Sequence, residues 1–246
     1  MSSFAIEKDL WKANYKHIAG IDEVGRGPIA GHLVTAAVIF PVCVSDEDVL
    51  RLEIALRFVD DSKKLTSRKR QFCYRLIHAL AIDYSVSSIS PQGIDLMGIG
   101  KAVTRCMALS VLKLKQSPDF ILVDGLKTPQ YDDYEHARGI LNKRWQKLIT
   151  GRHIADVNQF TAIRSRAIVK GDSLSLSISA ASILAKVTRD RMMTLDALKY
   201  PDYGFEFHKG YGTALHLKQL STLGATPLHR ISFSPLSNQT LPFDEE

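Results

Sequence analysis

Apolar and polar positions repeat along this chain with two different periods, and the switches between them outline its elements. A short apolar run, His17–Ile21, leads into Asp22-Glu23 and the glycine-spaced turn Gly25-Arg26-Gly27-Pro28. Leu33–Phe40 follows, with the length and β-branched content of a strand. Ser45 opens a predicted helix through about Arg57, and a second follows Thr66, with Phe72, Leu76 and Leu80 at helical spacing and Thr66 or Ser67 as its cap. Ile82–Ile89 alternates like a strand. Pro91 then begins what reads as one long helix, carrying Ile99, Val103, Met107 and Val111 on a single face.

Phe120–Val123 is continuously apolar and ends at Asp124-Gly125, the pattern of a strand covered on both faces. A long polar connection holds one helical pattern (Ala137, Leu141, Trp145, Leu148), then a strand is predicted over Ile163–Val169. Ser175 to about Met193, rich in Ser, Ala and Ile, suits a helix packed closely on a sheet. An aromatic loop from Tyr200 to Tyr211, a helix after Thr213 and a Pro- and Ser-containing tail complete the chain. Strands interleaved with helices predict an α/β fold, a mixed sheet flanked by helices, with a small helical C-terminal lobe. The expected division is a leader over 1–17, one main domain over 18–236 and a tail over 237–246.

Composition narrows the class without naming a function. The 246 residues carry 32 Lys+Arg against 26 Asp+Glu, a formal charge of +6, with 45% hydrophobic and 24% charged residues. These values exclude wholesale disorder and fibrous classes. Cys43, Cys73 and Cys106 form no CxxC pair and no zinc spacing with the histidines, which argues against a disulfide framework. The longest apolar stretch, Leu33–Val44, covers 12 positions and contains Thr35 and Pro41. A membrane span needs roughly 18, and the first residues are too charged for a signal-peptide core. A soluble, cytoplasmic protein is expected. The charge is unevenly spread: residues 125–171 hold nine Lys/Arg against four acids, and residues 61–80 hold six against one.

Two apolar strands end in carboxylates, Ile21 in Asp22-Glu23 and Val123 in Asp124, while Asp172 follows Lys170-Gly171 just before a helix. Carboxylates at strand ends of an α/β sheet gather at one edge. Together they raise one another's pKa unless a hard cation joins them, and Mg²⁺ accepts such oxygens along with water and substrate phosphate. Adjacent strand residues point to opposite faces, so Asp22 and Glu23 share a site only if the strand ends or bends there. Each acid alone is readable as a turn residue or helix cap, and for Asp172 alone capping is the better reading, but the four together favour a metal site. Gly25-Arg26-Gly27 is no dinucleotide fingerprint or P-loop. Its glycines allow close backbone approach to a ligand, though alone they make only a tight turn.

These residues resemble the ribonuclease HII family. The resemblance rests on IDEVGRGPIAG (Ile21–Gly31), DSKKL (Asp61–Leu65), LVDG (Leu122–Gly125), VKGDS (Val169–Ser173), SAASILAKVTRDR (Ser179–Arg191) and HKGYGT (His208–Thr213), in family order. The type HIII relatives carry a lysine in the glycine motif and a long N-terminal domain, whereas this chain has Arg26 and a short leader. The resemblance implies a ribonuclease H-like fold and an endonuclease acting on RNA–DNA hybrids and on duplex DNA holding single ribonucleotides. It would cut 5′ to the ribonucleotide by two-metal-ion hydrolysis, with Mg²⁺ or Mn²⁺, leaving a 3′-hydroxyl and a 5′-phosphate. It assigns Asp22, Glu23, Asp124 and Asp172 to the metals. Gly25, Arg26 and Gly27 would read the ribose 2′-hydroxyl, and Tyr211 would pack on the following deoxyribose. Rival classes are a DNA-junction nuclease of the same fold and a non-catalytic nucleic-acid binder.

Other residues have plainer alternatives. Lys63 touches phosphate or belongs to a solvated loop. The basic insertion within 126–168 contacts duplex backbone or is a solvated surface addition. Lys186 and Asp190 form an i, i+4 helix pair. His208, His216 and His229 read as scattered. Gln239–Phe243 loosely resembles a sliding-clamp motif, though a disordered tail suits it better. A monomer is expected.

Overall fold

The computed structural model describes residues 2–145 and 163–238, with side chains over 2–141 and 163–237. Its centre is a sheet of five strands in the order β3-β2-β1-β4-β5: β1 Ile18–Val24, β2 Leu33–Ile39, β3 Asp83–Ile89, β4 Phe120–Asp124 and β5 Arg164–Ile168. β2 runs antiparallel to β1 and β3, while β4 and β5 run parallel to β1. The C-terminal ends of four strands therefore meet at one edge. The mixed sheet expected from the sequence is present.

The pleat sorts this sheet into two cores. Ala19, Ile21, Leu33, Ala37, Ile121 and Val123 face α5 (Ile99–Lys113) and α6 (Tyr131–Trp145). Val34, Ala36 and Val38 face α2 (Asp46–Ala55), α3 (Ser67–Leu80) and the 24-residue α7 (Leu176–Lys199). Ser175, as N-cap, accepts from the Ile178 amide. Small residues let α7 lie close: a Cβ on Gly20 would stand 2.3 Å from the Ser177 carbonyl carbon. No other residue fits at position 20 without moving the helix.

Three elements differ from the sequence expectation. The long helix after Pro91 is two, α4 (Pro91–Met97) and α5, because Gly98 adopts φ 77° and turns the chain. α7 runs on to Lys199, past Met193, because Met193 and Ala197 pack into the C-terminal lobe. Residues 1–17, expected as a leader, contain α1 (Ala5–Lys12), with Phe4 wholly buried beside Trp11 and Phe40. Glu7 Oε1 accepts from Ser175 Oγ (2.6 Å), Ser177 N (3.0 Å) and Ser177 Oγ (2.6 Å), pinning α1 to the start of α7.

The C-terminal lobe holds α8 (Phe205–His208) and α9 (Ala214–Leu223), the latter capped by Thr213. Here the histidines expected to be scattered converge. His208 and His216 stack at 4.2 Å, and His216 Nε2 lies 3.1 Å from His229 Nε2. Their spacing in sequence hides this because three separate segments fold back on Phe205. The expected helix through Leu148, the basic residues Lys147 and Arg152, and the clamp-like segment 239–243 lie outside the described residues. No helix among the described residues is long and apolar enough to cross a membrane.

Candidate active site

Asp22 and Asp124 share a face because of strand register. β1 and β4 pair in parallel with Gly20 opposite Leu122 and Ile21 opposite Val123. One residue further, Asp22 meets Asp124, both on the face turned toward α7. Asp172 arrives from the 3₁₀ turn Gly171–Ser173 that precedes α7. The three aspartates bring carboxylate oxygens to within 4.8 Å of one another. The Gly171 amide donates to Asp124 Oδ1 at 2.7 Å, tying the turn to the strand.

Glu23 lies beside this group, not within it. The pleat turns it to the other face, where its Oε1 takes Arg26 at 3.2 Å and its Oε2 is buried without a hydrogen-bond partner among the described residues. Its backbone amide nevertheless donates to Asp22 Oδ1 at 2.7 Å. Of the four acids read from the sequence, three converge and the fourth is their neighbour.

Burial dominates the electrostatics. Asp22 is held well above the usual carboxylate range by burial first, then by the charges of Glu23 and Asp124. Burial likewise raises Glu23, with Arg26 pulling the other way. Burial raises Asp172 too, aided by Asp124 and Asp61 and opposed by Lys63. Lys63 Nζ stands 3.8 Å from Asp172 Oδ2 but is largely exposed, so it offsets little of this charge. A compact, all-oxygen, mutually repelling donor set fits a hard divalent cation, which would be held by Asp22, Asp124 and Asp172 with Glu23 beside them. Sulfur and imidazole ligands, which softer metals favour, are absent from this group.

The glycine turn begins three residues beyond Asp22. Gly25 has φ 102°, a conformation that side chains disfavour, and a Cβ there would stand 2.5 Å from Arg189 Nε. Two wholly buried arginines lie beneath it. Arg189 donates to the carbonyls of His32 (2.9 Å), Lys209 (2.9 Å) and Ala30 (3.2 Å). Arg230 donates to those of Gly25 (2.7 Å), Arg26 (3.2 Å) and Gly31 (2.8 and 3.0 Å). Tyr211 is half-exposed, and its Cε1 lies 4.0 Å from where a Cβ on Gly27 would stand. The Gly210 carbonyl accepts from Ile29 and Ala30 at 3.0 and 3.2 Å, so the tyrosine loop is laced to the glycine loop.

Of the residues read from the sequence as substrate-binding, Arg26 pairs with Glu23, Gly25 and Gly27 flank it with Tyr211 near Gly27, and Lys63 stands beside Asp172. Sequence reading missed Arg189, Arg230 and the hydroxyl pair Ser62–Ser182 (2.9 Å). Ser182 lowers the Asp22 pKa against the burial that dominates it. Arg189, Ser62 and Ser182 sat inside motifs already singled out, whereas Arg230 gave no signal of its own.

Comparison with known proteins gives the family of the chain. The family model described as ribonuclease HII matches residues 19–235. A ribonuclease HII of Bacillus cytotoxicus is 41% identical over 232 residues, covering 94% of this chain and 74% of the relative. The crystal structure of ribonuclease H2 from Pyrococcus horikoshii OT3 superposes with a TM-score of 0.65 at 24% identity, covering 90% of this chain and 96% of that one. A ribonuclease HII of Archaeoglobus fulgidus, solved as a complex with PCNA, superposes at 0.62 with 25% identity, covering 88% and 95%.

Proposed function

The chain belongs to the ribonuclease HII family and is a ribonuclease H hydrolase, and from this we propose that it cuts duplex DNA on the 5′ side of an embedded ribonucleotide, as well as the RNA strand of RNA–DNA hybrids. Asp22, Asp124 and Asp172, with Glu23, would hold Mg²⁺ or Mn²⁺. Two bound divalent ions would supply Lewis-acid activation of the attacking water and charge neutralisation at the departing 3′-oxygen. The chain's own residues do the rest by position. Gly171 fixes Asp124 through its amide. Arg26 and Gly27 offer main-chain donors to the 2′-hydroxyl, the one group that separates ribose from deoxyribose. Tyr211 presents a flat face to the next sugar, and Lys63 sits where it can meet backbone phosphate.

The observation that supports this reading most directly is that the amides of Arg26 and Gly27, just beyond a three-aspartate cluster, have no hydrogen-bond partner among the described residues. A junction nuclease has no use for ribose-sensing donors, and a pure binder gains nothing from carboxylates that repel phosphate. The test is cleavage of duplex DNA containing one ribonucleotide, with an all-DNA control. The expected product is a nick that DNA ligase can seal, because it carries a 3′-hydroxyl and a 5′-phosphate. Asp124→Asn should abolish cleavage while hybrid binding persists. Equal cutting of the all-DNA control, or an undiminished rate for the variant, overturns the proposal. Because the Archaeoglobus fulgidus relative was solved with PCNA, segment 239–243 is also proposed as a clamp contact, and capture by the clamp that survives Phe243→Ala refutes it.

A further inference from the structure

We propose that Arg230 is a positioning residue for ribonucleotide recognition, holding the glycine turn so that two consecutive main-chain amides face the substrate. The inference rests on the substrate reading above and deepens it.

The geometry follows from the planar trans peptide, in which C=O and N–H point in opposite directions. The Gly25 carbonyl belongs to the peptide whose N–H is that of Arg26, and the Arg26 carbonyl to the one whose N–H is that of Gly27. Arg230 draws both carbonyls inward, at 2.7 and 3.2 Å, so both amides point outward. Neither amide has a hydrogen-bond partner among the described residues, since the β1–β2 ladder ends at Val24. Consecutive outward amides form a small donor concavity suited to an oxygen-bearing ligand. The same guanidinium grips Gly31 O with two nitrogens, at 3.0 and 2.8 Å, and so fixes where the loop leaves the site.

Only arginine can do this here. Its fork is planar and presents several donors at fixed angles, while lysine is a point charge on a flexible stem. Phe233 holds the guanidinium face at 5.0 Å. Every hydrogen bond made by the guanidinium groups of Arg230 and Arg189 goes to a main-chain carbonyl. Burying a charge for carbonyl contacts alone is costly, and what those contacts hold in place here is the path of the glycine turn.

The test measures ribonucleotide preference, the ratio of affinity for a duplex with one ribonucleotide to affinity for the all-DNA duplex. It uses the cleavage-deficient Asp124→Asn protein with Mg²⁺. Adding Arg230→Lys should cut this preference about tenfold, the equivalent of one hydrogen bond to the 2′-hydroxyl, and leave all-DNA affinity within about twofold. Ile77→Ala, on the buried face of α3 and outside the glycine turn, is the stability control and should keep the preference. If Arg230→Lys does not fold, Phe233→Leu loosens the guanidinium instead, and a preference loss of about threefold is expected. A folded Arg230 variant, or Phe233→Leu, with the parent's preference overturns the inference. A parent showing no preference overturns the substrate reading instead.

Discussion

Asp22→Asn is expected to make the cation-free protein more stable while destroying its activity. The wild-type residue is buried, and its carboxylate oxygens lie within 4.8 Å of those of Asp124 and Asp172. Two full charges at that separation repel by about 3.5 kcal/mol at an effective dielectric constant of about 20. Asp22 escapes part of this by retaining its proton, which burial, Glu23 and Asp124 all favour. Asparagine removes the charge and loses little, because its oxygen can still accept the Glu23 amide now held at 2.7 Å. Its NH₂ group would face the remaining carboxylates as a donor. A net gain of about 1–3 kcal/mol follows, or roughly 3–10 °C in Tm for a chain of this size. The assay is thermal unfolding in EDTA at pH 7 and again near pH 4. The folded-state pKa of Asp22 lies above the ordinary value of 3.8, so its proton-linked stability is present at low pH and lost as pH rises through the folded value. The variant's advantage should therefore be large at pH 7 and close toward pH 4. Added Mg²⁺ should reverse the order by stabilising the wild type alone. A variant less stable than wild type in EDTA at pH 7, or a gap indifferent to pH, would refute this reasoning.

Two further outcomes follow from packing and burial. Burial pushes His216 and His229 down to about 4, below the unfolded value near 6.5, so stability they lend above that value is lost as pH falls from about 6.5 toward 4, by up to about 1.4 kcal/mol per pH unit for each. His216→Gln should flatten that slope, and urea midpoints at pH 7 and pH 5 that fall equally in both proteins would rule it out. Gly20→Ala should cost about 3 kcal/mol, since its Cβ would meet main-chain atoms of Ser177 and Ile178 at 2.3 and 2.5 Å. Denaturant unfolding measures this, and a cost below about 1 kcal/mol would mean that α7 yields more easily than its contacts suggest.

Much of this was legible in the sequence, and the exceptions share a cause. Period and capping gave the elements, since Ser45, Thr66, Ser175 and Thr213 each accept a main-chain amide at a helix start. The alternation of strand side chains already raised the question of Asp22 against Glu23, and the pleat answers it by separating them. What stayed hidden depends on contacts between distant positions. Arg230 reaches carbonyls 199 to 205 positions away, and carbonyls have no residue-type signature. The histidine group arises from segments that meet only in three dimensions. Gly98 breaks a continuous helical pattern through backbone conformation alone, which apolar spacing does not encode.

The tie between Glu7 and the start of α7 has a consequence for synthesis. Its partners lie 168 and 170 positions further on, so at about 5–20 residues per second the first helix waits roughly 10–30 s for them. An isolated helix of eight residues is not stable in water. Phe4 can meet Phe40 and Glu53 early, but the Glu7 tie forms only after the start of α7 has left the ribosome, and a similar delay governs Asp22, whose neighbours Asp124 and Asp172 come later. A nascent chain halted between residues 125 and 171 carries at least four of the five strands but lacks Asp172, so the three-aspartate group is completed only after most of the sheet has been made.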